Sequence, residues 1–263
     1  MKPENHHTFK AITIKNTKYM LILATALLFT GCMSSKKMVY FQESEAIKLQ
    51  ETLTNFQPQI QQGDLITIQV AANDPVSAET FNLYETPNVV GNPRLLPYLV
   101  DAEGHINFPV LGKLKVTGFT TQQIGDQITQ ALITYLVAPI VNVRLTNFKI
   151  TVMGEVKTPG TFAIPNERIT LIEALGLAGD LTIQARRNTV LLIREKNGTR
   201  DFVTIDLTNK ALFNSPYYYL VQNDVLYVEP NKTKINSSAV GASTSVLLSS
   251  LGIIISLITL LSL

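Results

Sequence analysis

Cysteine, histidine and tryptophan are scarce in this 263-residue chain, which has one, three and none of them, respectively. The single Cys32 excludes an intrachain disulfide, and it also excludes a cysteine-based zinc site and an iron–sulfur cluster. Charged residues make up 16% of the chain and hydrophobic residues 46%, a balance that excludes intrinsic disorder. The chain can therefore bury a substantial core.

The shortage of histidine also argues against catalysis. His6 and His7 lie in a leader that we expect to be removed, so His105 alone remains as an imidazole acid or base. The run from Gly176 to Gly179 lacks the lysine and the serine or threonine of a phosphate-binding loop. We predict no enzyme activity, no cofactor and no metal site. The alternative is a glycan-modifying enzyme that uses His105 or nearby acids.

The net charge is close to zero once the leader is set aside. The whole chain carries a formal charge of +2, but its first 18 residues hold four lysines and one glutamate. The remainder has 18 basic and 19 acidic residues, with no basic cluster suited to a phosphate backbone. We therefore predict no nucleic-acid partner, and we place Arg186 and Arg187 in a solvated loop or at a helix end.

The N-terminus has the features of a lipoprotein signal peptide over residues 1–31. A basic stretch ends at Lys18, and the 13 uncharged residues that follow would rise about 20 Å as a helix, too little for a bilayer about 30 Å thick. Leu28-Phe29-Thr30-Gly31 before Cys32 resembles the lipobox of bacterial lipoproteins, in which the cysteine thiol receives a diacylglycerol. We predict lipidation at Cys32 and a polar tether over residues 32–57. The alternative is a buried cysteine behind an ordinary signal peptide.

The C-terminus carries no charge after Lys234. Residues 239–263 would rise about 37 Å as a helix, so we predict a linker and a transmembrane helix over residues 232–263. Small and hydroxylated residues recur along one side of that helix, a pattern that favours close helix association in lipid or a face turned toward a lumen. The alternative is a simple tail anchor whose hydroxyls bond to their own helix. This stripe comprises Ser245, Ser249, Gly252, Ser256 and Thr259.

Residues 58–146 are predicted to form a small α+β region. An apolar strand follows Asp64, and short strands joined by glycine-containing turns follow between residues 98 and 116. Thr120 with Gln123 forms a capping box, after which apolar residues recur at helical spacing. A strand is expected after this amphipathic helix.

Residues 147–231 are predicted to form a second region of the same kind. Pro159 fixes one turn torsion and Gly160 can supply a positive φ, so we predict a tight turn between strands here. Thr170 begins a second capping box and a short helix. The closing strand repeats an earlier pattern, because Gln222-Asn223-Asp224-Val225 has the order of Gln62-Gly63-Asp64-Leu65.

The aromatic run Tyr217–Tyr219 is a candidate glycan platform, since aromatic side chains combine an apolar face with a polar tip. In a strand, however, alternate members of the run face opposite sides of the sheet. We therefore favour packing within the core or between subunits over a sugar-binding role.

Several stretches carry a family resemblance. Gln62-Gly63-Asp64-Leu65 and the residues from Asp101 to Gly112 look like the export domain of the outer-membrane polysaccharide export lipoproteins. The residues from Val152 to Gly179, with the strand after Asp224, are similar to the soluble ligand-binding β-grasp (SLBB) module of that family. The motif positions with a structural role in this resemblance are Gly63, Asp64, Gly104, Phe108, Pro109, Gly112, Gly154, Pro159, Gly160 and Asp224.

The resemblance implies an α+β fold class, with an export domain, then an SLBB β-grasp domain, then a C-terminal transmembrane helix. It implies a homo-oligomeric ring, anchored by lipid in the outer membrane of a Gram-negative bacterium, with its soluble domains in the periplasm. It further implies a channel for capsular polysaccharide or exopolysaccharide, and an inner-membrane copolymerase of the tyrosine-kinase type as partner. The alternative is a non-channel periplasmic adaptor that docks a copolymerase or a glycan.

Overall fold

The computed structural model describes residues 38–42, 56–85, 94–196 and 198–239, together with eight residues between 246 and 257. The chain divides into two units, Met1–Val39 and Tyr40–Leu263, and every element described below belongs to the second unit. The predicted lipidation site, Cys32, lies outside the described residues, as does most of the predicted tether.

The first region of the fold is a three-stranded antiparallel sheet covered by a helix, with a separate hairpin beside it. Its elements are β1 (Leu65–Ala71), α1 (Pro75–Glu79), β2 (Tyr98–Leu99), β3 (His105–Phe108), β4 (Gly112–Lys115), α2 (Thr121–Leu132) and β5 (Ile140–Leu145). The sheet order is β2-β1-β5, and β3 pairs with β4. Burial alternates along β1, which directs Ile66, Ile68 and Val70 into the core.

Helix α2 begins at the predicted capping box. The Gln123 N–H donates to the Thr120 hydroxyl at 3.2 Å, and the Thr120 N–H donates to the Gln123 side-chain oxygen at 2.9 Å. These two bonds satisfy N–H groups that have no partner within the helix. The apolar face of α2 buries Ile124, Ile128 and Leu132, so the predicted helix is confirmed.

The second region is a five-stranded mixed sheet with one short helix packed against it. Its elements are β6 (Lys149–Gly154), β7 (Gly160–Ala163), β8 (Ile169–Thr170), α3 (Leu171–Leu177), β9 (Ala185–Lys196), β10 (Thr199–Ile205), a 3-10 helix (Lys210–Asn214), β11 (Tyr219–Leu220) and β12 (Val225–Pro230). The sheet order is β10-β9-β12-β6-β7, and β8 pairs with β11. The first and last strands, β6 and β12, are parallel neighbours, with Val225 opposite Thr151.

The predicted C-terminal transmembrane helix is wrong. Among the described residues, no helix combines the length and the apolar character that crossing a membrane requires. Helix α4 (Lys232–Ala239) has eight residues, which rise about 12 Å, and it contains Lys232 and Lys234. Of the predicted stripe, Ser249, Gly252 and Ser256 are helical and exposed, whereas Ser245 and Thr259 lie outside the described residues. The fold therefore keeps the two predicted β-rich regions without a described membrane span.

Arg186 and Arg187 are not in a loop or at a helix end, because both lie in β9. Arg186 pairs with Glu229 across the sheet at 2.7 Å. Arg187 is 7% exposed, and its guanidinium lies 5.3 Å from the centre of the Tyr40 ring. A cation held against an aromatic face tolerates this burial better than an isolated one would.

Residues 40–42, here called the N-terminal strap, bind the second region. The N–H groups of Phe41 and Gln42 donate to the carbonyls of Leu207 and Thr208 at 3.2 and 2.7 Å. The Tyr40 hydroxyl donates to Asp180 at 2.6 Å, and burial raises the pKa of Tyr40 to about 12. The strap therefore docks through both its backbone and its side chains.

Candidate functional site

Two turns of the chain have the same geometry. In one, the Gln61 N–H donates to the Asp64 carboxylate at 2.8 Å and the Asp64 N–H donates to the Gln61 carbonyl at 3.3 Å. In the other, Val221 and Asp224 make the same two bonds at 2.8 and 3.2 Å. The residue before each aspartate has a positive φ, 82° at Gly63 and 65° at Asn223. The repeated sequence pattern thus corresponds to one turn built twice.

The two turn aspartates differ in charge compensation. Both are 1% exposed. The Asp224 carboxylate accepts hydrogen bonds from two guanidinium nitrogens of Arg194, at 3.0 and 2.7 Å. Burial raises the pKa of Asp224, and the Arg194 charge opposes that rise. Asp64 has no lysine or arginine partner in the described part of the chain, and burial raises the pKa of Asp64 to about 6. The negative charge of the turn aspartate is therefore balanced by an arginine in the second region, whereas the first region places no arginine or lysine beside it among the described residues.

We expect the Asp64→Asn variant to lose a pH dependence that the natural chain has. A folded-state pKa of about 6, against an ordinary value of 3.8, means that the folded state binds the proton more tightly. This contribution to stability is fully present below pH 4 and is lost as the pH rises through 6, by about 3 kcal/mol. An asparagine oxygen still accepts from Gln61, so urea unfolding at pH 4 and pH 7 isolates the charge. Parallel pH profiles for the two proteins would contradict this account.

Asn147 joins the two regions by binding both turns. Its side-chain oxygen accepts from the Leu65 N–H at 3.0 Å, and its side-chain amide donates to the Gly63 carbonyl at 3.4 Å. Its backbone carbonyl accepts from the Gln222 side chain at 2.7 Å, and that side chain in turn accepts from the Lys149 N–H at 2.8 Å. One residue therefore fixes the first turn relative to the second.

Glu167 makes a second link between the regions. It lies in the loop before β8, and its carboxylate accepts from the Thr121 hydroxyl at 2.9 Å and from the Leu145 N–H at 3.0 Å. Charge-assisted bonds of this type are stronger than neutral ones. The beginning of α2 and the end of β5 are thus tied to the second region.

A cleft opens where the two regions meet, and we call it the junction cleft. Its volume is about 390 Å³, within the range of about 300–1,000 Å³ that ligand pockets occupy. The Phe56 and Tyr219 rings stack inside it with centroids 4.8 Å apart and planes 6° from parallel. The Arg168 guanidinium lies 5.6 Å from the centre of the Tyr219 ring. The lining residues are Phe56, Gln57, Pro58, Thr121, Asn166, Glu167, Arg168, Thr170, Glu173 and Tyr219.

The motif residues predicted from the sequence lie in several different parts of the fold. Asp64 and Asp224 occupy the two turns. Phe108 is buried and packs on Tyr98, with ring centroids 5.9 Å apart. Pro109 lies in the turn between β3 and β4, and Gly112 is the first residue of β4. Gly104 has a φ of 80° and Gly154 a φ of 92°. None of these predicted residues lines the junction cleft.

The positive φ that Gly160 could have supplied to the predicted turn is supplied by another glycine. Gly160 begins β7, and the glycines with positive φ include Gly154 but not Gly160. Pro159 precedes this strand, and Gly154, at the end of β6, has a φ of 92°, a conformation that glycine adopts without steric strain.

Sequence reasoning missed most of the cleft. Phe56, Glu167 and Arg168 belong to segments without a periodic pattern, and their contacts join residues far apart in the chain. Of the run Tyr217–Tyr219, Tyr217 and Tyr218 pack against the core as expected, whereas Tyr219 lines the cleft and stacks on Phe56. The available signal was the pair of capping boxes, because the beginnings of α2 and α3 both border the cleft.

Exposed apolar side chains cluster where α2 leads into β5, and we call this the α2–β5 patch. Ile133, Tyr135, Val137 and Ile140 are between 55% and 74% exposed. In the described part of the chain, strand β5 is also an edge strand of its sheet, and on that edge the Leu145 N–H donates to Glu167. Several exposed apolar side chains beside a strand edge are typical of an interaction site.

Family models match both regions of the chain. Residues 54–146 match polysaccharide biosynthesis/export proteins, and residues 148–228 match the SLBB domain. Together the two matches cover about two thirds of the chain.

Two curated relatives carry the name "EPS I polysaccharide export outer membrane protein EpsA". The protein from Ralstonia solanacearum is 32% identical over 182 residues, which is 65% of this chain and 47% of the relative. The protein from Ralstonia nicotianae is 31% identical over 135 residues, which is 48% of this chain and 35% of the relative. The matched segments thus span less than half the length of either relative.

These matches confirm the family inferred from the turn and strand motifs. The chain belongs to the polysaccharide biosynthesis/export protein family, with an SLBB domain following its export domain.

Proposed function

We propose that the chain is a polysaccharide-export component of the outer membrane. The observation that carries this proposal is the succession of an export domain and an SLBB domain in one chain. The names of the two Ralstonia relatives, as polysaccharide export outer membrane proteins, support the substrate class and the location. The export and SLBB domains lie on the periplasmic side in this proposal.

The proposed attachment to the membrane is a lipid on Cys32. The uncharged run that ends in Leu28-Phe29-Thr30-Gly31 supports it, because its length suits a signal peptide better than a membrane span. Acylation at this position leaves the rest of the chain free to fold outside the bilayer.

The proposed assembly is a closed homo-oligomeric ring through which the polysaccharide passes. A ring needs a head-to-tail contact in which two different surfaces of the subunit meet. The α2–β5 patch supplies one such surface, with four exposed apolar side chains beside the edge strand β5. Energy for transport comes from an inner-membrane copolymerase in this proposal, since the chain contains no recognisable phosphate-binding loop.

We expect charged substitutions in the patch to break the ring. Val137→Asp and Ile140→Lys place charges on side chains that are 74% and 70% exposed, so each subunit should keep its stability within about 0.5 kcal/mol. The full-length protein is extracted in detergent, and its particle mass is measured by sedimentation and its shape by electron microscopy. Surface polysaccharide is measured in cells that carry each variant as their sole copy.

The matched control is Ile183→Lys, which charges a side chain that is 61% exposed outside the patch. The ring proposal requires the control to keep both the large particle and the secreted polysaccharide while the patch variants lose both. A natural protein that is strictly monomeric in detergent and still supports secretion would overturn the ring and favour the adaptor role.

A further inference from the structure

We infer that the junction cleft binds a short, uncharged stretch of a polysaccharide chain. This inference rests on the proposed function, which supplies the class of substrate, and it assigns the contact to particular residues. The cleft lies between the export region and the SLBB region, so a ligand bound there touches both at once.

The aromatic pair supplies the apolar part of such a site. A sugar ring has faces of C–H groups that pack on aromatic faces, and Tyr219 adds a hydroxyl at its edge. Phe56 and Tyr219 cover one face of each other, and the Arg168 guanidinium lies over the Tyr219 ring. The sugar therefore packs on the outer face of the half-buried Phe56 and at the hydroxyl edge of Tyr219. A rigid aromatic surface loses little conformational freedom when a ligand binds.

The polar part of the lining consists of groups that hydrogen-bond hydroxyls. Gln57, Asn166 and Thr121 provide amide and hydroxyl groups, and Arg168 provides planar donors. Asn166 and Arg168 are exposed to solvent, so a ligand can reach them without a rearrangement. A few convergent polar groups around an apolar surface are typical of small-ligand sites.

The charges of the lining favour an uncharged ligand. Glu167 already accepts from Thr121 and Leu145, and the Glu173 carboxylate accepts from the N–H and the hydroxyl of Thr170 at 2.7 and 2.9 Å. The Arg168 guanidinium lies against the Tyr219 ring. With two carboxylates and one guanidinium in the lining, an acidic chain meets net repulsion.

The experiment measures binding of oligosaccharides released by partial hydrolysis from the surface polysaccharide of the producing cells. The fragments are end-labelled with a fluorophore, and anisotropy is recorded with the full-length protein. We expect Arg168→Ala and Tyr219→Ala each to weaken the binding of uncharged fragments at least tenfold. Because Arg168 is exposed, Arg168→Ala should fold normally. It therefore tests the cleft even in the case where Tyr219→Ala does not fold. The matched control is Arg200→Ala, which removes an exposed arginine that pairs with Glu195 on the β9–β10 hairpin and should leave the affinity unchanged.

A local reporter makes the position of the ligand visible. The chain has no tryptophan, so Phe56→Trp places a single indole in the cleft, and its emission should change when the fragment binds. Unchanged affinity in either cleft variant, or a silent indole during binding, would overturn the cleft assignment. Tighter binding of fragments rich in uronic acid would overturn the uncharged class.

The outcome for the cleft is separable from the outcome for the proposed function. Deleting the whole gene tests export itself, because polysaccharide must then disappear from the cell surface. Loss of secretion on deletion, together with unaltered binding by Arg168→Ala, rejects the cleft and leaves the export role standing. Continued secretion on deletion rejects the export role.

Discussion

Asp224→Asn is expected to lower the free energy of unfolding by about 3–5 kcal/mol, because it removes one partner of a buried ion pair and leaves the other charged. Arg194 is 9% exposed and directs two of its nitrogens at Asp224. The asparagine oxygen can still accept from the Val221 N–H, so the turn itself is retained. Urea unfolding at pH 7, monitored by circular dichroism, measures the loss.

Asp64→Asn is the matched control, since it makes the same substitution in the equivalent turn. Asp64 lacks the ion pair that Asp224 has, so neutralising it at pH 7 should cause no loss of stability. Equal destabilisation by the two variants would show that the turn, rather than the Arg194 pair, determines the effect. Exchanging the buried pair for apolar residues of similar volume should cost less than Asp224→Asn alone.

Gly154→Ala is expected to lower the free energy of unfolding by about 2–5 kcal/mol. Gly154 ends β6 with a φ of 92°, where an L-residue costs about 1–2 kcal/mol. A Cβ at this position would overlap the carbonyl oxygen of Val228 in the neighbouring parallel strand, and overpacking adds about 1–3 kcal/mol. The β6–β12 pair joins the first and last strands of the SLBB region, so its separation disrupts the centre of the sheet. Thermal melting of the full-length protein detects the change.

Gly160→Ala provides the comparison, because Gly160 was predicted as part of the same turn motif. An added Cβ there would meet the Phe162 ring at 3.8 Å, an ordinary contact, and its φ is not in the left-handed region. We expect a change within about 0.5 kcal/mol. A large loss from Gly160→Ala, or a small one from Gly154→Ala, would contradict the assignment of the strained position.

Short sequence patterns were sufficient to predict the helices and turns whose hydrogen bonds join residues close together in the chain. Helices begin at the predicted capping boxes of Thr120 and Thr170. These could be predicted because the hydrogen bonds of a capping box join residues only three positions apart. The repeated turn before Asp64 and Asp224 was visible as a short repeat for the same reason. The Pro159-Gly160 pair predicted a turn without fixing which residue has a positive φ, and in the structure that residue is Gly154.

Features that depend on distant residues could not be read in this way. The junction cleft brings Phe56 against Tyr219 across 163 positions of the chain, and Asn147 has no sequence feature that predicts its contacts with both turns. The C-terminal transmembrane helix was inferred from the length of an uncharged run. The absence of charge indicates an apolar segment, but it does not by itself determine the secondary structure of that segment. Arg187 was expected in solvent because arginine is rarely buried, and its contact with Tyr40 depends on a strap far from it in sequence.

The N-terminal strap determines which domain bears a force that is applied to the chain on the N-terminal side of Tyr40. Tension entering through residues 40–42 reaches the SLBB sheet first, through the two backbone bonds to Leu207 and Thr208 and the Tyr40–Asp180 bond. The export domain, which follows later in the chain, is shielded from that load for as long as the strap holds. Force would therefore be borne by the domain that contains the buried Arg194–Asp224 pair.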